Sequence, residues 1–550
     1  PTTEIGYVGE IVEVRTKVIR DLVRDGVTPV ISPISLGTDG QHYNVNADEA
    51  AGAVAAALQA EQLLFLSDVP GVMRDGTVIK QLTPTGAAAL IENGVVHLGM
   101  IPKVRAAVGA IENGVAQARI INLAGLSSGI GTTIGSDGKG SDAPDSSIDP
   151  DSVISAEAKY IVPTYSRPPH VFTRGEGAYL YTAEGKRYLD FSAGIAVTVL
   201  GHSDPEWAAA VIQQAGTLTH VSNLYHTTPH VDLARRLVEH SFADRVFFCN
   251  SGSEANEAAL KFARKCARTT DSTGKKTGIV AFEGGFHGRT AGALAATARA
   301  EYREPFEPLL PGVTFARFND LSHAAESINT NTCAVIVEPV QGEGGVRAAN
   351  IAFLQGLRHI CNQHQALLIF DEVQCGLARS GNLWAHQAAG VTPDIMTLAK
   401  PLAGGLPIGA TLVTETIAQV LQPGDHGSTF AAGPLVCHAA NVVFDRVAQP
   451  AFLESVRSKG QYILEGLQAL DTESLLEVRG SGLLVGAEFS HPVKPLIAAA
   501  ADRGLLTISA GENVLRLCPP LVVSMDEVNT AIDIIADCLT TLGPAASEQR

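Results

Sequence analysis

Apolar residues fall into short runs separated by stretches of helical spacing, and they do so twice, on two scales. In residues 1–126, positions 11–24 carry apolar residues at helical spacing, 28–34 is a β-branched run that predicts a strand, and 47–58 is an alanine-rich stretch that predicts a helix. Residues 63–66 read as a short buried strand closed by the turn Asp68-Val69-Pro70-Gly71. Residues 153–545 repeat the alternation on a larger scale. Here 246–249, 278–282, 333–338 and 366–370 are apolar runs, each passing into polar or glycine-rich residues, and 257–268 predicts a helix. Such alternation predicts α/β architecture, with a parallel sheet covered by helices. In doubly wound sheets the loops at the carboxyl ends of strands line the ligand crevice. Functional residues are therefore expected just beyond these runs.

Between the two regions, residues 127–152 read SSGIGTTIGSDGKGSDAPDSSIDPDS and are dominated by Gly, Ser, Asp and Pro, the composition of a flexible linker. The expected organisation is thus 1–126, linker 127–152, and 153–545 before a polar end, ASEQR. A length of 550 residues suits several domains, and 45% hydrophobic with 18% charged residues is a folding composition. The net charge of −17 argues against nucleic acid and anionic membranes as partners. Eight cysteines, none in a CxxC pair, suggest reduced thiols in a cytoplasmic or organelle-matrix protein. No apolar run reaches the ~18 residues of a membrane span, and the front shows no signal or transit pattern. The first residue is Pro1, which leaves a processed or longer product in view.

Four segments carry candidate chemistry. Asn250-Ser251-Gly252-Ser253-Glu254 follows the first run of the larger region and opens a helix, a place where free N–H groups suit a phosphate or merely receive a cap. Phe286 stands three residues before Arg289 in a glycine-rich loop; the pair could stack a flat ring and hold a carboxylate, or be a packed Phe and a surface Arg. Asp371 and Glu372 end an apolar run, and a buried carboxylate needs a partner. A protonated ring nitrogen would serve, as would a metal, but no His or Cys cluster accompanies them and no metal is expected. Lys400 ends another short run before Pro401 and two glycines; withdrawn from water it would be a nucleophilic amine, and otherwise it snorkels to the surface.

In order, SGSEANE, GGFHGR, EPVQGEGG, FDEVQCG, LAKPLAGGLPIGA and HGSTFAAGPL resemble the acetylornithine aminotransferases, a branch of the fold-type I, class III pyridoxal-phosphate (PLP) aminotransferases, across residues 155–545. The resemblance implies that fold, with a large doubly wound mixed-sheet domain and a small α/β domain. It implies that Lys400 holds PLP as a Schiff base and shuttles the proton, that Asp371 pairs with the ring nitrogen, and that Gln374 meets the ring hydroxyl. Phe286 would stack on the ring. Ser251, Gly252 and Ser253 would hold the phosphate, with Thr429 of a neighbouring subunit, which implies a homodimer. Arg289, with Ser428 beside it, would bind the α-carboxylate of N-acetylornithine. Arg516 would bind that of 2-oxoglutarate, and Glu338 would be the acid that pairs with Arg516. The reaction implied converts N-acetylornithine and 2-oxoglutarate into N-acetylglutamate 5-semialdehyde and glutamate, in two half-reactions at one site. Ornithine, succinylornithine and 4-aminobutyrate are the alternatives offered by sister families. The chain departs from the family where it has Ala378 for Gly, and Ala432-Gly433 for Gly-Asn or similar.

The front region also resembles a family. YNVNADEAA, LSDVPGV and GMIPKV are similar to the C-terminal half of acetylglutamate kinase, an amino acid kinase. Asn44 would sit at the acetylglutamate, Asp48 would orient catalytic lysines, and Lys103 would touch the transferring phosphoryl group. Both families act in arginine biosynthesis, which favours acetylornithine. With no counterpart here for the kinase's first half, the expectation is no kinase turnover from this chain alone. The alternatives are a bifunctional enzyme whose kinase half lies upstream, or an assembly module.

Overall fold

In the smaller region, Leu63 and Phe65 are buried while Leu64 and Leu66 are exposed, the two-residue period of a strand covered on one side. A computed structural model describes residues 11–74, 77–92, 96, 100–123, 131–135 and 148–542, and the chain divides into two units, Pro1–Pro144 and Asp145–Arg550. In the first unit, α1 (Thr16–Arg24) is followed by a two-stranded antiparallel pair, β1 (Ile34–Leu36) and β2 (His42–Asn44), and by α2 (Ala47–Leu58). The sheet comprises β3 (Gln62–Leu66), β4 (Gln81–Leu82), β5 (Gln117–Ile121) and β6 (Thr132–Gly135), in the order β3-β5-β6-β4. Ala55 of α2, with Val104, Ala107 and Ile111 of α3 (Met100–Glu112), packs against Phe65 and Ile120 to make its core. Asn46 caps α2, its side chain accepting from the N–H groups of Asp48 and Glu49.

The second unit is built on seven strands: β7 (Arg245–Cys249), β8 (Gly278–Phe282), β9 (Val313–Ala316), β10 (Thr332–Val337), β11 (Leu367–Asp371), β12 (Ile395–Leu398) and β13 (Gly409–Val413), in the order β7-β13-β12-β11-β10-β8-β9. Only β13 runs against its neighbours. Every residue of β10 is buried, as a strand covered on both faces requires. One cover is α4 (Gly252–Thr270), which buries Ala258, Ala259, Leu260, Phe262 and Ala263 against Ile279, Ile336 and Ile369. A second, four-stranded sheet near the C-terminus includes Val514–Leu517, the strand carrying Arg516. All eight cysteines are free, and seven are buried. Among the described residues no helix is long and apolar enough to cross a membrane.

Three expectations need correction. Residues 28–34 form no strand before Ile34; Pro29 and Pro33 remove ladder donors, and Val30 is 97% exposed. The helix expected from residue 11 begins at Thr16. The expected linker is shorter than its composition suggests. Thr132–Gly135 within it is a strand of the first sheet, and Pro150–Tyr160 is a helix. Thr132 is fully buried; its Oγ1 accepts from the Val72 N–H at 2.7 Å and donates to the Ile79 carbonyl at 2.7 Å. Residues 127–130 and 136–147 of the expected linker, and the tail ASEQR, lie outside the described residues.

Candidate active site

At the carboxyl ends of β7, β8, β10, β11 and β12 lies a cavity of about 310 Å³ lined by Ser251, Gly252, Ser253, Phe286, Glu338, Asp371, Gln374 and Lys400. Eight of the residues singled out in the sequence are thereby brought together from five loops. The cavity lies at the edge of the sheet where the topology predicts a crevice.

The β7 loop becomes the start of α4. Ser251 is the N-cap and accepts from the Glu254 N–H, leaving Gly252 and Ser253 in the first turn beside the cavity. A Cβ on Gly252 would stand 2.7 Å from Val373 Cγ1, so only glycine lets this turn approach the β11 loop. In the β8 loop, Gly288 has φ +138° and a Cβ there would strike Ser253 Oγ at 2.3 Å. That close approach sets Phe286 on the cavity wall and lets the Arg289 N–H donate to Ser253 Oγ at 3.2 Å.

Asp371 ends β11 and is 3% exposed. Its Oδ2 accepts from Asn256 Nδ2 and from His287 Nδ1, each at 2.7 Å, and its Oδ1 from the Val373 N–H at 3.0 Å. Burial opposes charge on His287, but the hydrogen bond and charge of Asp371 outweigh it and raise the imidazole's pKa. Neither Asn256 nor His287 stood out in the sequence. Asn256 lies one turn into α4 and His287 beside Phe286, and only folding, which closes separations of 115 and 84 residues, shows what they hold. Glu372 faces elsewhere: its oxygens accept from the Ala385 and His386 N–H groups and from His386 Nδ1, so this acid fastens a loop.

Lys400 follows β12 and reaches the cavity with no hydrogen bond or ion pair among the described residues. Burial lowers its pKa and the Arg516 charge adds to that, against Glu343, Glu338 and Asp371. Arg516 itself is 2% exposed and does not line the cavity; its Nη1 donates to Glu343 Oε1 at 2.7 Å and to Gln374 Oε1 at 2.9 Å. Glu343 is therefore the acid paired with Arg516, not Glu338. The Glu338 carboxylate is consumed by the N–H groups of Phe286 (2.7 Å) and Gly342 (2.9 Å).

The remaining site residues stand apart from the cavity. Arg289 is exposed, its guanidinium 3.5 Å from the centroid of the Tyr302 ring. Ser428 accepts from Asn250 Nδ2 at 2.8 Å, a partner different from Arg289. Thr429 is exposed and followed by Phe430, itself 70% exposed. In the first unit Lys103 Nζ meets both oxygens of Asp48, at 2.9 and 3.1 Å, while Asn44 is exposed at the end of β2.

Residues 160–539 match the family Aminotransferase class-III, and residues 1–122 match the Amino acid kinase family. The chain is 53% identical over 396 residues to an acetylornithine aminotransferase, mitochondrial, of Alnus glutinosa, covering 71% of this chain and 88% of the relative. It is 47% identical to a succinylornithine transaminase of Salmonella typhimurium, over 69% of this chain and 94% of that one. Among solved structures, the N-acetylornithine aminotransferase of Stenotrophomonas maltophilia superposes with a TM-score of 0.62 at 36% identity, over 71% of this chain and 99% of that chain. The ornithine aminotransferase of Toxoplasma gondii does so with a TM-score of 0.69 at 29% identity, over 72% and 96%. Behind a segment of the amino acid kinase family, this chain belongs to the class-III aminotransferases.

Proposed function

We propose that the cavity binds pyridoxal phosphate on Lys400 and transfers the terminal amino group of N-acetylornithine to 2-oxoglutarate. One observation carries this reading: a buried, triply hydrogen-bonded Asp371 shares the cavity with a half-buried lysine whose amine is shifted toward its neutral form.

The residues fit the cofactor. The Gly252 turn, which a Cβ would fill, and the N-terminus of the 19-residue α4 suit its phosphate. Once bound, the cofactor supplies an electron-withdrawing ring that acidifies the carbon carrying the transferred amine. Asp371, fixed by His287, Asn256 and the Val373 amide, keeps a proton on the ring nitrogen. Phe286 and Gln374, which line the cavity, would hold the cofactor's ring, Phe286 by stacking and Gln374 by a hydrogen bond to its hydroxyl. Lys400, which lines the cavity, would take the proton from the carbon that carries the transferred amine and return it one position along. A neutral lysine is needed for both tasks, and burial favours that form.

Arg289 then reads the α-carboxylate of N-acetylornithine. Glu343 neutralises Arg516 while that amine is bound and releases it to 2-oxoglutarate, a role the 2.7 Å pair supports. Relatives at 47% identity include both acetylornithine and succinylornithine enzymes, so overall similarity does not choose the acyl group. The amino acid kinase segment favours the acetylated substrate. Thr429, exposed beside a Ser428 anchored to Asn250, suits a two-fold dimer in which it reaches the neighbour's phosphate.

Lys400→Ala should abolish the visible Schiff-base absorbance of the PLP-loaded protein and its transamination. A wild-type chain that takes up no PLP would end the proposal. Among N-acetylornithine, N-succinylornithine, ornithine and 4-aminobutyrate, the first should show the highest kcat/KM, by roughly tenfold or more.

A further inference from the structure

The two arginines assigned to substrate carboxylates are held in opposite ways. Arg516 is buried and neutralised by Glu343, 2.7 Å away. Arg289 makes no ion pair among the described residues; an aromatic face holds it instead, with the guanidinium 3.5 Å from the Tyr302 centroid and 5.7 Å from that of Phe286. A carboxylate partner cancels an arginine's charge and occupies its donor fork. A stacked ring covers the flat face and leaves the N–H groups at the edge free.

Tyr302 is itself held. Arg299 Nη1 donates to the Tyr302 hydroxyl oxygen at 3.1 Å, and Arg299 Nη2 donates to the Glu343 backbone carbonyl at 3.1 Å. A continuous path therefore runs from Arg289 through Tyr302, Arg299 and Glu343 to Arg516. Because Arg299 holds the backbone of Glu343, that carboxylate can leave Arg516 while the stack behind it stays in place. We propose that Tyr302 and Arg299 are positioning residues that fix the enzyme's selectivity for a carboxylate-bearing amine, by keeping Arg289 charged, oriented and open at its edge. Arg516 is then the conditional carboxylate reader and Arg289 the permanent one.

The inference rests on the reading of Arg289 given above, and the experiment separates the two. The probes are N-acetylornithine and N-acetylputrescine, the same amine without its carboxylate, and the measurement is the ratio of their kcat/KM values on the PLP-loaded full chain. Tyr302→Leu should cut the ratio roughly two- to fivefold, the worth of a cation–π contact at an exposed arginine, mainly through a raised KM for N-acetylornithine. Turnover of N-acetylputrescine and the Schiff-base absorbance should hardly move. Tyr302→Phe, which keeps the ring and loses the Arg299 bond, should fall between, as should Arg299→Met. Arg289→Met should erase the selectivity. If Arg289→Met leaves the ratio intact, the carboxylate assignment of Arg289 fails. If it erases the ratio while Tyr302→Leu preserves it, or if Tyr302→Leu and Tyr302→Phe slow both amines equally, positioning by Tyr302 is overturned.

Discussion

At the scale of single residues, Asp371 shows how a buried site acid is satisfied at a sheet edge: three donors converge on it, two of them side chains. Asn256→Ala removes one donor and should loosen PLP by about tenfold or more, read by absorbance titration, because hydrogen bonds to charged groups are the stronger ones. At Glu338 burial prevails over the donors. Burial pushes its pKa from 4.5 up to about 7; His287 and two amide donors resist, and the Asp371 charge adds to the rise. The folded chain then holds a proton that the unfolded chain releases between these values. Stability should fall as pH rises through this window, by up to about 1.4 kcal/mol per pH unit. In Glu338→Gln, denaturant titrations across the same pH range should show a flatter dependence. Ala378 sits at φ +69° and Ala432 at φ +48°, where the resembled family has glycine. The left-handed region penalises a Cβ, so Ala378→Gly should stabilise the chain by roughly 0.5–1 kcal/mol, after allowing for the freer unfolded state.

At the scale of elements, α2 and β8 have the bounds that their patterns predict, and β7, β10 and β11 shift by one residue, because apolar runs bounded by polar residues carry their own limits. The start of α4 was less legible: the apolar period begins near residue 257, but the capped first turn at Gly252 is polar and small, chosen for what approaches it. Gly252→Val should fold and fail to retain PLP on dialysis, since the added side chain meets Val373. Strand β6 hid within a Gly/Ser-rich stretch, where composition speaks of solvent while Thr132 is satisfied by partners more than fifty residues away. Thr132→Val leaves the Val72 N–H and the Ile79 carbonyl without this partner and should cost about 1–3 kcal/mol. Hydrogen exchange at the Val72 amide is the measurement, and faster exchange is the expected outcome.

For the whole molecule, cofactor-site residues were legible because they come as ordered motifs along the chain, each at a strand end. Tyr302, Arg299 and Glu343 were not, because nothing local marks a ring or an acid whose partner is an arginine elsewhere in the fold. The exchange of Glu338 for Glu343 has the same origin: two glutamates five residues apart cannot be told apart until Arg516 is seen to reach only one.

The lone reversed strand, β13, has a consequence for synthesis. It lies between β7 and β12, and it is the last of the seven to leave the ribosome. Until Gly409–Val413 is made, β7 and β12 each present an unpaired edge, in a sheet already rich in buried apolar residues. The nascent chain must therefore carry two sticky edges past residue 398, and any pause in translation there prolongs the interval in which a neighbouring chain could pair with them first.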